Sequence, residues 1–172
     1  VWWDDIVAAA SAESPLWADA LRPPGDRACE AVFSTLGPKQ HALGLETIYE
    51  GYLVHYGRSR LFDPDDEDTA LLLGDYLYAQ GLVHVAETGD VAAVADLAEL
   101  ISLCGQARAE DRAGDGAAWA ATAARLGLGG LQAARDALRV DGDPGGLDTA
   151  AREAAGDEAV DGALAAHARL VG

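Results

Sequence analysis

Lysine is almost missing from this chain. Lys39 is the only one, and 12 lysines and arginines stand against 29 aspartates and glutamates, a net charge of −17 over 172 residues. That balance argues against a basic surface for nucleic acid, so no nucleic-acid partner is expected. Cysteine is nearly as scarce. Cys29 and Cys104 are too few and too far apart for a disulfide framework or a zinc site, and both are expected as small buried groups. No apolar run reaches the roughly 18 residues of a membrane span. The opening Val1-Trp2-Trp3-Asp4-Asp5 lacks the basic start of a secretory signal, so the expectation is a soluble, cytoplasmic protein. No stretch alternates apolar and polar residues convincingly, which removes the usual mark of a strand.

What the chain does have is alanine and leucine. Half of it is hydrophobic, with few aromatics, which predicts closely packed helices and an all-α fold. One domain is expected, with a core over about 38–113 and an Ala/Gly-rich helical tail over about 114–172. Punctuation sets the elements. A helix over 2–20 is interrupted at Ser14-Pro15; a turn at Arg22-Pro23-Pro24-Gly25-Asp26 leads to a short helix ending near Leu36; a third helix runs over 38–56 to Gly57. Asp65-Asp66-Glu67-Asp68 opens a long helix over 65–88, and Gly89-Asp90 starts another over 91–109. Short alanine helices over 117–126, 131–138, 147–154 and 158–171 are expected to pad this bundle.

The organising stretch is Leu71 to Gln80, apolar around most of its circumference and therefore read as a central helix. Asp75 sits in its middle. A carboxylate there is either a structural polar anchor or a chemical group. Glu46 and Glu50 share a helix face one turn apart, with His55 further along, and together with Asp75, Glu99 and Gln106 they form a buried hydrogen-bond network, a metal site or a set of ligand contacts. The acids at 65–68 read as a solvated helix start or a divalent-ion site. Arg58 and Arg60 read as partners for helix carbonyls and the nearby acids, or as anion contacts. Trp2, Trp3 and Trp17 are core or interface anchors; His41 and His84 have no ligand-spaced partner, His167 lies in the tail, and all three read as ordinary packed or exposed histidines.

Residues 45–110 resemble the trans-isoprenyl diphosphate synthase, or polyprenyl synthetase, family. Leu45-Glu46-Thr47-Ile48-Tyr49 with Leu53-Val54-His55 is similar to the helix that opens the family's first aspartate-rich motif. Leu72-Leu73-Gly74-Asp75-Tyr76-Leu77 resembles its Gly-Asp-Tyr-Leu helix, and Gly89-Asp90 and Gly105-Gln106 with Glu110 fall where the family places a helix break and its Gly-Gln or Gly-Glu segment. The resemblance implies a helical bundle like part of an isoprenoid synthase, around an apolar cavity. In active members it implies magnesium-dependent condensation of allylic and isopentenyl diphosphates, which needs carboxylates one turn apart to hold the metal. Here Tyr56-Gly57 follows His55 where the paired aspartates would stand, no second aspartate-rich motif follows Gly114, and the arginine arm is cut to Arg58-Ser59-Arg60. The expectation is a degenerate, truncated, non-catalytic relative with no catalytic residue, metal ligand or cofactor. Its partners are a second copy or a catalytic prenyl synthase subunit, met through an apolar face that includes aromatics of the third and central helices. The alternatives are a binder of an apolar or isoprenoid ligand, with Tyr49, Tyr52, Tyr76 and Tyr78 along the cavity, and, last, an enzyme with altered diphosphate chemistry.

Overall fold

The helix that the rest of the chain wraps is α3 (Ala42–Tyr56), one element earlier than the sequence suggests. Every residue from Gly44 to Leu53 is buried, the charged ones included. The computed structural model describes residues 2–171, and among them the fold is all-α. The other helices are α1 (Trp2–Glu13), α2 (Pro15–Asp19), α4 (Glu67–Ala86), α5 (Val91–Ala109), α6 (Asp115–Ala124), α7 (Gln132–Asp141), α8 (Gly145–Ala155) and α9 (Asp157–Val171). The β pairing among the described residues is a single bridge, Leu21 with Phe62.

Glycine sets how α3 meets α4. Gly44 and Gly51 on α3, and Gly74 and Gly81 on α4, are seven residues apart, two turns along one face. The helices run antiparallel, so Gly44 faces Gly81 and Gly51 faces Gly74. A Cβ added at Gly44 would lie 2.9 Å from the Gly81 carbonyl oxygen, and one at Gly51 would lie 2.9 Å from that of Gly74. Side chains at these positions would force the backbones apart, which is why the pair packs so closely.

Ser14 breaks the first helix as its spacing predicts: its hydroxyl accepts from the Leu16 amide and Pro15 follows. The short helix expected before Leu36 does not form. Only 3-10 turns occur there, Pro24–Asp26 and Ser34–Leu36. The amides a helix would use are engaged elsewhere: Val32 and Ser34 donate to Glu46 Oε1 at 3.3 and 3.2 Å, and Ala28 donates to the Arg60 carbonyl at 3.2 Å.

Two other expectations are corrected. The helix around Asp75 is not wrapped on all sides, because α3 and α5 cover only part of it; Leu71, Leu72 and Val83 are 55%, 56% and 50% exposed. The alanine-rich segment is not padding either. Ala118 to Ala123, with Trp119, are buried, and α6 packs against α5, α8 and α9 in one core with α3. Alanine makes this possible because its single methyl lets helices approach closely. A second cluster, built on Trp3, Ile6, Trp17, Phe62, Leu73 and Leu77, seats α1 and α2 on the other side.

Candidate functional site

Glu46, Glu50 and Arg60 form one buried ionic cluster, with each residue at most 2% exposed. Arg60 Nη1 donates to Glu46 Oε2 at 2.7 Å and Nε donates to Glu50 Oε2 at 2.9 Å. The second oxygen of each carboxylate is also used: Glu46 takes the Val32 and Ser34 amides, while Glu50 takes the Leu61 amide and the Ser59 hydroxyl. The Arg60 guanidinium lies 4.6 Å from the centre of a Trp3 ring and 5.0 Å from the Tyr49 ring. Burial opposes its charge, but Glu50 and Glu46 outweigh that and raise its pKa further. Such a cluster fixes the irregular 27–33 segment and the 57–63 connection to α3. Its donors and acceptors are already matched to one another.

A second polar centre lies at the first turn of α6. Asp115 accepts from the Tyr52 hydroxyl and from Arg108 Nη2 at 2.5 Å, and its Oδ2 is 3.3 Å from His167 Nε2. The Tyr49 hydroxyl is 2.9 Å from His167 Nδ1. With Asp115 ionised, Nε2 carries a proton and donates to the carboxylate. Burial opposes ionisation of Asp115, yet the hydrogen bonds from His167 and Tyr52 and the charges of His167 and Arg108 hold its carboxyl well below the usual range. Burial first, then the bond to Asp115, pushes the Tyr52 phenol far above its ordinary value. Tyr49, Tyr52, Phe33 and Trp119 pack ring on ring around this centre at 5.0 to 6.1 Å. They fill the middle of the bundle rather than line a space there, and Tyr76 stacks on Trp17 at 5.9 Å.

The residues singled out from sequence therefore separate. Glu46 and Glu50 join Arg60. His55 meets Asp75 at 3.3 Å on the outer edge of α3 and α4, where the Asp75 side chain is 66% exposed, so this aspartate is a surface group and not a buried anchor. Burial lowers the His55 pKa against the pull of Asp75. Gln106 donates to Glu110, and Glu99 pairs with Arg139. Arg60 is fully used inside the protein and is no anion contact; Arg58 is exposed and makes no ion pair among the described residues. Arg58 and Arg22 share a cleft of about 200 Å³ with Asp63, and Arg22 reaches Asp63 at 3.3 Å. Asp66 caps α4 through the Thr69 amide at 2.8 Å, the helix-start reading of that acidic run. No group of three or more metal-holding side chains occurs among the described residues. Cys104 is buried, but Cys29 is exposed in the irregular segment, contrary to expectation.

Arg108 and Asp115 went unnoticed in the sequence, and His167 was read as an ordinary histidine without a partner. Their separations from Tyr52 exceed fifty residues, so no periodic pattern links them. The one local sign was Gly114-Asp115 as a helix start, with Gly114 in the left-handed region at φ 117°. Where the resemblance would place paired aspartates, Gly57 lies against α9, and a Cβ there would sit 2.7 Å from the Leu170 carbonyl oxygen. No helix among the described residues is long and apolar enough to cross a membrane. No family model, curated protein or solved structure matches this chain.

Proposed function

We propose that this chain is a non-catalytic relative of isoprenyl diphosphate synthases that serves as an interaction or regulatory subunit of a prenyltransferase. The observation that supports this most is the outer face of α4, the same helix that carries the Gly-Asp-Tyr-Leu resemblance. It leaves Leu71, Leu72 and Val83 about half exposed, when burying the rest of each would be favourable by about 1 kcal/mol. The acids one turn apart on α3, Glu46 and Glu50, are both engaged by Arg60 rather than free for a metal. Of the aromatics, only Tyr56 at the end of α3 joins the exposed set, since Tyr49 and Tyr52 are buried.

Two assays test the reading. Incubated alone with an allylic diphosphate, isopentenyl diphosphate and magnesium, the chain releases no pyrophosphate. Added to a full-length isoprenyl diphosphate synthase, it shifts the product chain length or turnover of that enzyme. Pyrophosphate release by the chain alone, at a rate that survives further purification, overturns the proposal.

A further inference from the structure

Among the arginines of the described residues, Arg58 is the one whose side chain makes no hydrogen bond, ion pair or ring contact. On an open surface that would be an ordinary solvated cation. Arg58 instead stands between two hollows of about 200 and 190 Å³, and Arg22 and Ser59 line both of them with it. Arg22 is fixed there. Its Nε donates to the Ser59 carbonyl at 3.1 Å, and its two terminal nitrogens lie 3.4 and 3.3 Å from the carboxylate oxygens of Asp63. Arg27 Nε donates to the Arg22 carbonyl at 2.8 Å, which brings a third guanidinium beside the pair. Neither the buried cluster at Arg60 nor the subunit role uses these groups.

We infer that this cleft binds a small monocarboxylate, its carboxylate held between Arg22 and Arg58 and its short apolar chain lying along Val54 and Pro64. Charge balance selects the head group. Arg22, Arg27 and Arg58 stand against two acids that line the hollows, Asp63 and Asp26, so a single positive charge is left over. One carboxylate closes that balance, and its two oxygens match the planar fork of a guanidinium. A phosphate dianion or a diphosphate overshoots it. The cleft also lies at the carbonyl end of α3, where Gly57 lines it, and the partial negative charge there opposes any second charge on the ligand. The walls select the rest of the molecule. Val54 and Pro64 are half-buried on the side of the first hollow, so a chain of a few carbons takes the remaining apolar surface out of water, and the hollow is too small for much more. The site is independent of the subunit role: it uses Arg22 and Arg58, and that role uses the outer face of α4.

Titration of the 15N-labelled chain, 17.8 kDa, with acetate, propionate, butyrate, phosphate and pyrophosphate at matched ionic strength tests this by NMR. Butyrate shifts the side-chain Nε–H signals of Arg22 and Arg58 and the amides of residues 57–63, with a Kd on the order of a millimolar, as expected for so small a ligand in an open cleft. Affinity rises about two- to fourfold with each methylene from acetate to butyrate. Phosphate and pyrophosphate bind more weakly than butyrate. Arg58→Gln keeps the parent's amide spectrum outside the cleft and weakens butyrate at least tenfold, Arg58→Lys recovers part of the loss, and Arg125→Gln, at the far end of α6, changes nothing. Val54→Ser leaves acetate binding intact and flattens the dependence on chain length. Asp63→Asn removes the internal partner of Arg22, so butyrate binds severalfold tighter and phosphate begins to compete with it. The inference is overturned if butyrate moves neither arginine signal, if Arg58→Gln binds it as the parent does, or if affinity follows the charge of the anion rather than the length of its chain, with pyrophosphate the tightest.

Discussion

Two residues carry most of the buried electrostatics, and each makes a measurable prediction. Arg60 pairs with two carboxylates that have no access to water, so Arg60→Ala strips Glu46 and Glu50 of their cation and costs about 3–5 kcal/mol in urea unfolding. Adding Glu46→Gln and Glu50→Gln to Arg60→Met recovers part of that loss, because the charges whose burial was costly are gone. Asp115 behaves differently because it is stabilised as an anion. Its carboxyl titrates lower in the folded chain than in the unfolded one, so its contribution is complete above about pH 4 and fades as pH falls through the folded value. Asp115→Asn therefore destabilises the protein by about 1–3 kcal/mol at pH 7, and the gap between variant and parent narrows in unfolding curves recorded near pH 3. A gap that widens on acidification would mean that the carboxyl is not held as an anion in the fold. Of these residues, Glu46 and Glu50 were legible from their spacing, but their partner Arg60 was assigned to the wrong neighbours. The acids at 63–68 are closer in sequence, yet it is the chain's return beneath α3 that delivers Arg60 to Glu46 and Glu50.

At the scale of helices, the α3–α4 contact depends on glycine where it is tight and is indifferent to it where there is room. Gly44→Ala or Gly81→Ala places a methyl against the facing backbone and costs about 1–3 kcal/mol, more than the roughly 0.5–1 kcal/mol that alanine gains as a helix former. Gly162, on α9, has nothing within 4 Å of an added Cβ, so Gly162→Ala stabilises by that smaller amount. Thermal unfolding of the three variants checks the sign at each site. The break between α1 and α2, the end of α3 and the start of α5 were readable because Ser14-Pro15, Gly57 and Gly89-Asp90 act locally, whereas α3 starts at Ala42 after a 3-10 turn and not at Pro38. The exposure of α4 was not readable. Leucines left at the surface look the same in sequence as leucines packed in a core, so Leu71 and Leu72 made α4 look central. The glycines seven residues apart on α3 and α4 were the available sign that these two helices pair, and that sign is a matter of spacing alone.

For the whole molecule, the polar centre at Asp115 joins α3, α5, α6 and α9, parts of the chain that composition had divided into a core and a tail. The all-α architecture was legible because alanine and leucine dominate throughout, but the depth of α6 was not, since its alanines resemble those of an exposed helix. The arrangement pairs Glu46 and Glu50 with Arg60, and Asp115 with Arg108 and His167, inside the bundle and leaves apolar groups exposed outside it, which is the physical basis for reading the chain as a subunit. Carbene footprinting, which labels exposed aliphatic side chains, tests that reading most directly. On concentrating the chain, or on adding a full-length isoprenyl diphosphate synthase, labelling of Leu71, Leu72, Val83 and Val91 falls severalfold while that of Leu128 and Val140, exposed elsewhere, stays constant. Equal labelling of all six residues under every condition would contradict it.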